Sequence, residues 1–131
     1  MAFTQKEAAS YRTTVNGRAL HMYHSVLKGA KQRDIGFELS QAWFKEKIKD
    51  GICEVTGIPL VLTYDDNLAV KSKGQNRHPF APSVDRIDSN LPYTEDNCKM
   101  VISIYNTCKG SFTDESVEIF CKAFLKAKGL I

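Results

Sequence analysis

Residues 82–110 read PSVDRIDSNLPYTEDNCKMVISIYNTCKG. SVDRI reads as a short strand, DSNLPYTEDN as a loop marked by Pro92 and by acid and amide side chains, CKMVIS as a second strand, and IYNTCKG as a short helical turn. A strand-loop-strand-helix unit sets the end of its first strand beside the start of its helix, so Asp85 and Asn106 are expected to meet. One carboxylate and one amide oxygen form a hard, incomplete shell that suits Mg²⁺ or a similar ion, which keeps waters and takes phosphate oxygens. Asn97, at the head of the second strand, is expected across the hairpin from Asp85 and Arg86, where its amide can orient a neighbouring group. Asp and Asn are also ordinary turn formers, because they bond their own backbone. Scaffold and site therefore both fit these residues.

Upstream, NGRALHMYHSVLKGAKQRD spaces Leu20, Met22, Tyr23, Val26, Leu27 and Ala30 for a helix from about 17 to 32. FEL is a short extended piece. Ser40 is placed to cap QAWFKEKIKD, where Trp43, Phe44 and Ile48 share a face and Gly51 marks the stop. A turn at Thr56-Gly57 should lead into an apolar strand near 58–64. DDNLAVKSKGQNRHPFAP is polar and carries glycine and proline, as a loop or an elaborated excursion would. After residue 110, Thr113 is placed to cap a helix to about 128, amphipathic through Val117, Phe120, Cys121, Phe124 and Leu125.

A chain of 131 residues fits one domain, expected here over 1–131 with a helical part at about 1–52. With 43% hydrophobic and 25% charged residues it has the composition of a globular protein. No apolar run reaches the roughly 20 residues of a membrane span, and MAFTQKEAAS lacks a secretory h-region. The expected setting is the cytoplasm, with no membrane partner. Cys53, Cys98, Cys108 and Cys121 are irregularly spaced, as reduced thiols would be. The net charge is only +3, but Lys6, Arg12, Arg18, Lys28, Lys31 and Arg33 face a single acid, Glu7, before Asp34. Lys71, Lys73 and Arg77 form a second basic stretch without acids. Such patches are the electrostatic footprint of a polyanion binder.

The 82–110 stretch resembles the HNH family of ββα-metal nucleases, in which an Asp-His pair ends strand one, an Asn opens strand two, and an Asn or His lies in the helix. VDRIDSN matches the Asp-His-Ile-Asp form except at one position, EDNC supplies Asn97, and YNTCKG supplies Asn106 with Lys109 after it. GAKQR, FELS, AWF and GICEVTG are similar to the lead-in of small, often phage-encoded members, which would place the protein in a bacterial host. The likeness spans roughly residues 28–110. It implies an α+β fold with a ββα-metal (His-Me finger) hairpin-helix core at about 82–110, flanked by N-terminal and C-terminal helices. It also implies hydrolysis of phosphodiester bonds in DNA, double-stranded by expectation. Asp85 and Asn106 would bind one Mg²⁺ or Mn²⁺. Lys31, Arg33, Lys71, Lys73, Arg77 and Lys109 would contact the backbone.

Two positions depart from that pattern. Family members often carry paired Cys-x-x-Cys zinc knuckles, whereas here Cys53 is followed by Thr56, and Ile102 and Tyr105 stand where the second pair would precede Asn106. Packing in place of zinc is the expectation, with all four cysteines buried and structural. Arg86 occupies the position of the general-base histidine. A guanidinium stays protonated at working pH, but it can hold phosphate in a bidentate fork. A substitute base is then needed; His78 ranks above Asp88, because imidazole titrates near neutrality. His21 and His24 fall in the first helix. The rival reading is a nucleic-acid-binding module that kept the HNH fold and lost catalysis with its base. A structural protein with an incidental hairpin is the third.

Overall fold

The computed structural model describes residues 4–131. Helix α1 (Gln5–Tyr11) is capped by Thr4, and α2 (Val15–Gln32) by Thr14, whose hydroxyl accepts the Gly17 N–H at 3.0 Å. The two helices meet closely: a β-carbon on Gly17 would lie 1.9 Å from the Tyr11 carbonyl oxygen. Only glycine leaves room there. Helix α3 (Gln41–Asp50) starts at Ser40, whose Oγ accepts the Trp43 N–H at 3.1 Å, and ends at Gly51 in the left-handed region at φ 74°. The α2 and α3 boundaries follow the apolar spacing and the caps, whereas α1 carries no apolar stripe and was not anticipated.

The apolar run near 58–64, expected as a strand, is instead an extended connection. One isolated bridge, Ile52↔Pro59, and single bonds from Leu60 N to Gly51 O and Val61 N to Phe80 O tie it down. Pro59 lacks the N–H that a ladder needs, while Leu60 and Leu62 still deliver apolar side chains to the core. The polar stretch that follows contains a hairpin, β1 (Val70–Ser72) with β2 (Gln75–Arg77), that the loop reading did not foresee. Lys73 and Gly74 both have positive φ, the conformation of a tight two-residue hairpin turn. Lys-Gly is a weaker signal for such a turn than Asn-Gly.

Strand β3 (Pro82–Arg86) pairs antiparallel with β4 (Cys98–Ile102), Asp85 opposite Lys99 and Arg86 opposite Cys98. Helix α4 (Ser103–Lys109) follows without a connecting residue. This ribbon is covered on both faces, which explains why Met100, Val101 and Ile102 are consecutive and all buried. On one face Met100, Cys98 and Val84 join Met22, Trp43, Phe44 and Ile48 of α2 and α3. On the other, Val101 and Ile102 pack with Cys53 and Tyr105. The outer edge of β4 is closed by Glu54: its N–H donates to Met100 O at 2.9 Å and its Oε2 accepts from Met100 N at 2.6 Å. Helix α5 (Asp114–Ala127) begins at Thr113 as expected, but buries none of its residues, and Ile119, Phe120 and Phe124 are more than half exposed. Among the described residues no helix is long and apolar enough to cross a membrane.

Candidate active site

Alternation along β3 sends Ser83 and Asp85 to the α4 face and Val84 and Arg86 to the other. On α4, Asn106 and Lys109 are three residues apart and share a face. The two pairs mesh. Asn106 Nδ2 donates to Ser83 Oγ at 2.7 Å and Val84 O at 3.2 Å, while Lys109 Nζ lies 3.1 and 2.9 Å from the two oxygens of Asp85. A helical step of about 4.5 Å meets a strand step of about 6.7 Å, and the long lysine stem spans the difference. The helix cannot slide, because its first N–H groups, on Ser103 and Ile104, donate to Ala81 O and Pro79 O at 2.8 and 2.9 Å. These are bonds to the segment that enters β3.

Asp85 and Lys109 are 4% and 5% exposed, so the ion pair is shielded from solvent. Lys109, expected as a backbone contact, is thus enclosed, with its ammonium given to Asp85 and, at 3.3 Å, to Arg86 O. The Val84 carbonyl can only accept, which fixes the amide of Asn106 with Nδ2 towards β3 and Oδ1 away from it. Asp85 and Asn106 lie on the same face of the ribbon, each held by a different partner.

Arg86 leaves β3 on the other side: its guanidinium lies 5.0 Å over the Tyr93 ring and Nη1 donates to Leu91 O at 2.9 Å. Asn97 is buried and staples the 87–97 loop, its Oδ1 accepting from Asp88 N at 2.9 Å and its Nδ2 donating to Asp88 O and Pro92 O at 3.0 Å each. It orients the loop backbone rather than a reacting side chain. Asp85, Arg86, Asp88, Tyr105, Lys109 and Asp114 line one cleft of about 440 Å³. Within it, Tyr105 donates to Asp114 Oδ1, and burial with that contact pushes its phenol well above the ordinary value.

His78 is elsewhere. Its side chain is buried, Nε2 lies 2.8 Å from Asp66 Oδ2, and Nδ1 accepts the Phe80 N–H at 3.0 Å. With the Nδ1 lone pair engaged and the Nε2 proton given to Asp66, no nitrogen is left to take a proton from water near Asp85. Asp88, ranked second from the sequence, is the candidate that shares the cleft. It is exposed, with Oδ1 accepting the Asn90 N–H at 2.9 Å. Of the basic residues expected on a nucleic acid, Lys31, Lys71 and Lys73 are exposed, and Arg33 and Arg77 line a separate cavity beyond β3. The part of Lys109 as partner of Asp85 was missed, although the three-residue spacing from Asn106 was its signal. Ser83, two residues before Asp85, carried the matching one.

Asp85 and Asn106, expected to meet, do not share the cleft: Asp85 is taken by Lys109, Asn106 is turned to Ser83 and Val84 and is not among the residues lining it, and among the described residues no three His, Cys, Asp or Glu side chains come together. The Lys109 ammonium already neutralises the Asp85 carboxylate in this arrangement. Where a zinc knuckle would stand, Cys53, Ile102 and Tyr105 pack together with Val101. The Cys98 thiol is pushed up to about 11 by burial; all four cysteines are free, but only Cys53 and Cys98 are buried, whereas Cys108 and Cys121, expected to be buried, are exposed because they lie on the solvent side of α4 and on α5, which buries no residue.

No protein-family model matches the sequence, and no curated protein matches it significantly. Among solved structures, the fold is similar to that of the rare-cutting HNH restriction endonuclease PacI, in a study of DNA perturbation by that enzyme. The TM-score is 0.60 at 18% identity, covering 83% of this chain and 78% of PacI. At that identity the likeness establishes an HNH-like fold.

Proposed function

We propose that this protein is a metal-dependent endonuclease that hydrolyses phosphodiester bonds in double-stranded DNA. The observation that carries the reading is a buried carboxylate, Asp85, presented by a hairpin to a helix bearing Asn106 within an HNH-like fold. Asp85 and Asn106 would hold one Mg²⁺ or Mn²⁺. Such an ion, when bound, polarises the scissile phosphate and stabilises the leaving oxygen. An ion held by Asp85 would compete with Lys109 for the carboxylate, and a displaced Lys109 ammonium would be available to phosphate. Arg86, whose guanidinium is held by Leu91 O and the Tyr93 ring on the face away from the Asp85 side chain, would contact phosphate from that side. Asn97 keeps the loop that carries Asp88 in one conformation, and Asp88 Oδ2 takes the proton of the attacking water. Packing of Cys53, Ile102 and Tyr105 replaces a structural zinc.

The test is incubation of supercoiled plasmid with the purified protein and Mg²⁺ or Mn²⁺. Nicked or linear product that chelator prevents, and that Asp85→Ala and Asn106→Ala abolish with unchanged circular dichroism, is the expected result. Binding without cutting under every metal condition would instead identify an inactive module that kept the fold.

A further inference from the structure

Beyond β3 lies a cavity of about 470 Å³ bounded by α2, the β1–β2 hairpin and the start of β3. Arg12, Arg18, Arg33 and Arg77 line it with His21, and no carboxylate does. Arg18 is only 5% exposed. Its Nε donates to Arg12 O at 2.8 Å, and its Nη2 to Leu62 O at 2.8 Å and the Tyr64 hydroxyl at 3.2 Å. Every one of these acceptors is neutral. Arg33 is held likewise, by Gly29 O at 3.1 Å and the Tyr93 hydroxyl at 2.8 Å. Among the described residues none of the four guanidiniums has a carboxylate partner. A buried charge without a counter-ion is costly, and neutral acceptors orient a guanidinium without consuming its charge. The wall is built for an anion that the chain itself does not supply.

We infer that this cavity is a phosphate-binding site that seats the DNA backbone beside the cutting cleft, with Arg12, Arg18, Arg33 and Arg77 as its cationic wall. The identity of the ligand as DNA rests on the nuclease reading. Ser83 and Val84 line the cavity while Asp85 and Arg86 line the cleft, so successive residues of one strand divide the two. A backbone laid across β3 reaches both. Guanidinium forks match phosphate oxygens and hold register without reading bases. His21 reports the same field: partial burial, then Arg12 and Arg18, lower its pKa from the ordinary 6.5.

The test uses the full chain and the double variant Arg12→Ala/Arg77→Ala, whose removed side chains have no hydrogen-bond or ion-pair partner among the described residues. Duplex DNA binding is followed by fluorescence anisotropy in chelator over a salt series, and melting temperature is followed in pyrophosphate against chloride of equal ionic strength. The variant is expected to bind at least about tenfold more weakly, with a slope of log K against log salt shallower by about two. Pyrophosphate should raise the melting temperature of the wild type and move the His21 imidazole titration upward by NMR, and both effects should vanish in the variant. Equal binding of duplexes with phosphorylated and hydroxyl ends is expected, and a clear preference for phosphorylated ends would overturn a backbone site. Unchanged affinity and slope in the variant, or no pyrophosphate response in the wild type, would overturn the inference while plasmid cutting still stood. Pyrophosphate and DNA held here without cutting would remove the nuclease reading and leave this site.

Discussion

Replacing Lys109 by Met tests whether the ion pair at the centre of the cleft is a placeholder for a bound cation. The side chains of Lys109 and Asp85 are 6% and 5% exposed and 2.9 Å apart, so removing the ammonium strands a buried carboxylate. Breaking such a pair costs about 3–5 kcal/mol, a large share of the roughly 5–15 kcal/mol that holds a domain together. At roughly 3–5 °C per kcal/mol for a chain of this size, the melting temperature should fall by roughly 10–25 °C. Methionine keeps most of the lysine stem's volume, so little of that loss comes from a cavity. Two further measurements separate charge from packing. Mg²⁺ should restore more melting temperature to Lys109→Met than to wild type, because it replaces the missing positive charge. The double variant Asp85→Asn/Lys109→Met should be more stable than Lys109→Met alone, because the stranded charge is gone. A loss below about 1 kcal/mol, the value of an exposed pair, would refute the reasoning, as would the same Mg²⁺ response in variant and wild type.

Gly17→Ala places a methyl 1.9 Å from the Tyr11 carbonyl and should destabilise by about 1–3 kcal/mol in denaturant melts. Gly29→Ala, whose β-carbon has nothing nearer than Arg33 Nη2 at 3.6 Å, should be neutral or stabilising. Elemental analysis of protein purified without added metal should find no stoichiometric zinc, and chelator should leave the melting temperature unchanged; one zinc per chain would overturn the packing account of Cys53, Ile102 and Tyr105. His78→Gln should lower stability and leave the cutting rate unchanged, whereas Asp88→Asn should reduce the cutting rate. A native His21 pKa below 6.5 means the unfolded chain binds more protons, so stability should fall as pH drops through that value and level off once native His21 is protonated. In His21→Gln, melting temperature against pH should lose that component of the slope.

The ribbon and its helix were legible because SVDRI and CKMVIS are short strand-like runs on either side of a loop marked by Pro92 and by acid and amide side chains, with the IYNTCKG turn directly after them, whereas the pairing of Lys109 with Asp85 was not read. Helices α2, α3 and α5 were legible from caps and spacing. What failed did so for physical reasons. The 58–64 run is as apolar as a strand, but Pro59 and isolated backbone bonds make it a lining segment. Helix α1 buries nothing, so no periodicity announced it. His78 looked like a base from its titration range, yet Asp66, twelve residues upstream, and the Phe80 N–H claim both ring nitrogens. Residue type gave the chemistry of that histidine; only the folded chain gave its partners. The arginine cavity was half visible as charge without acids, but Arg12, Arg18, Arg33 and Arg77 converge only when α2 and the β1–β2 hairpin meet.

The central claim is that Asp85 and Asn106 make this HNH-like fold a nuclease, and pairing cutting with binding on one substrate tests it most directly. Single-turnover cleavage of supercoiled plasmid in Mg²⁺ is measured for wild type, Asp85→Ala and Asn106→Ala, with affinity for the same plasmid measured in parallel in chelator. The account expects metal-dependent cutting by the wild type, and in both variants a rate lost with affinity retained. Wild-type protein that binds the plasmid and leaves it intact in both Mg²⁺ and Mn²⁺, or an Asp85→Ala variant that cuts as fast as wild type, would contradict it.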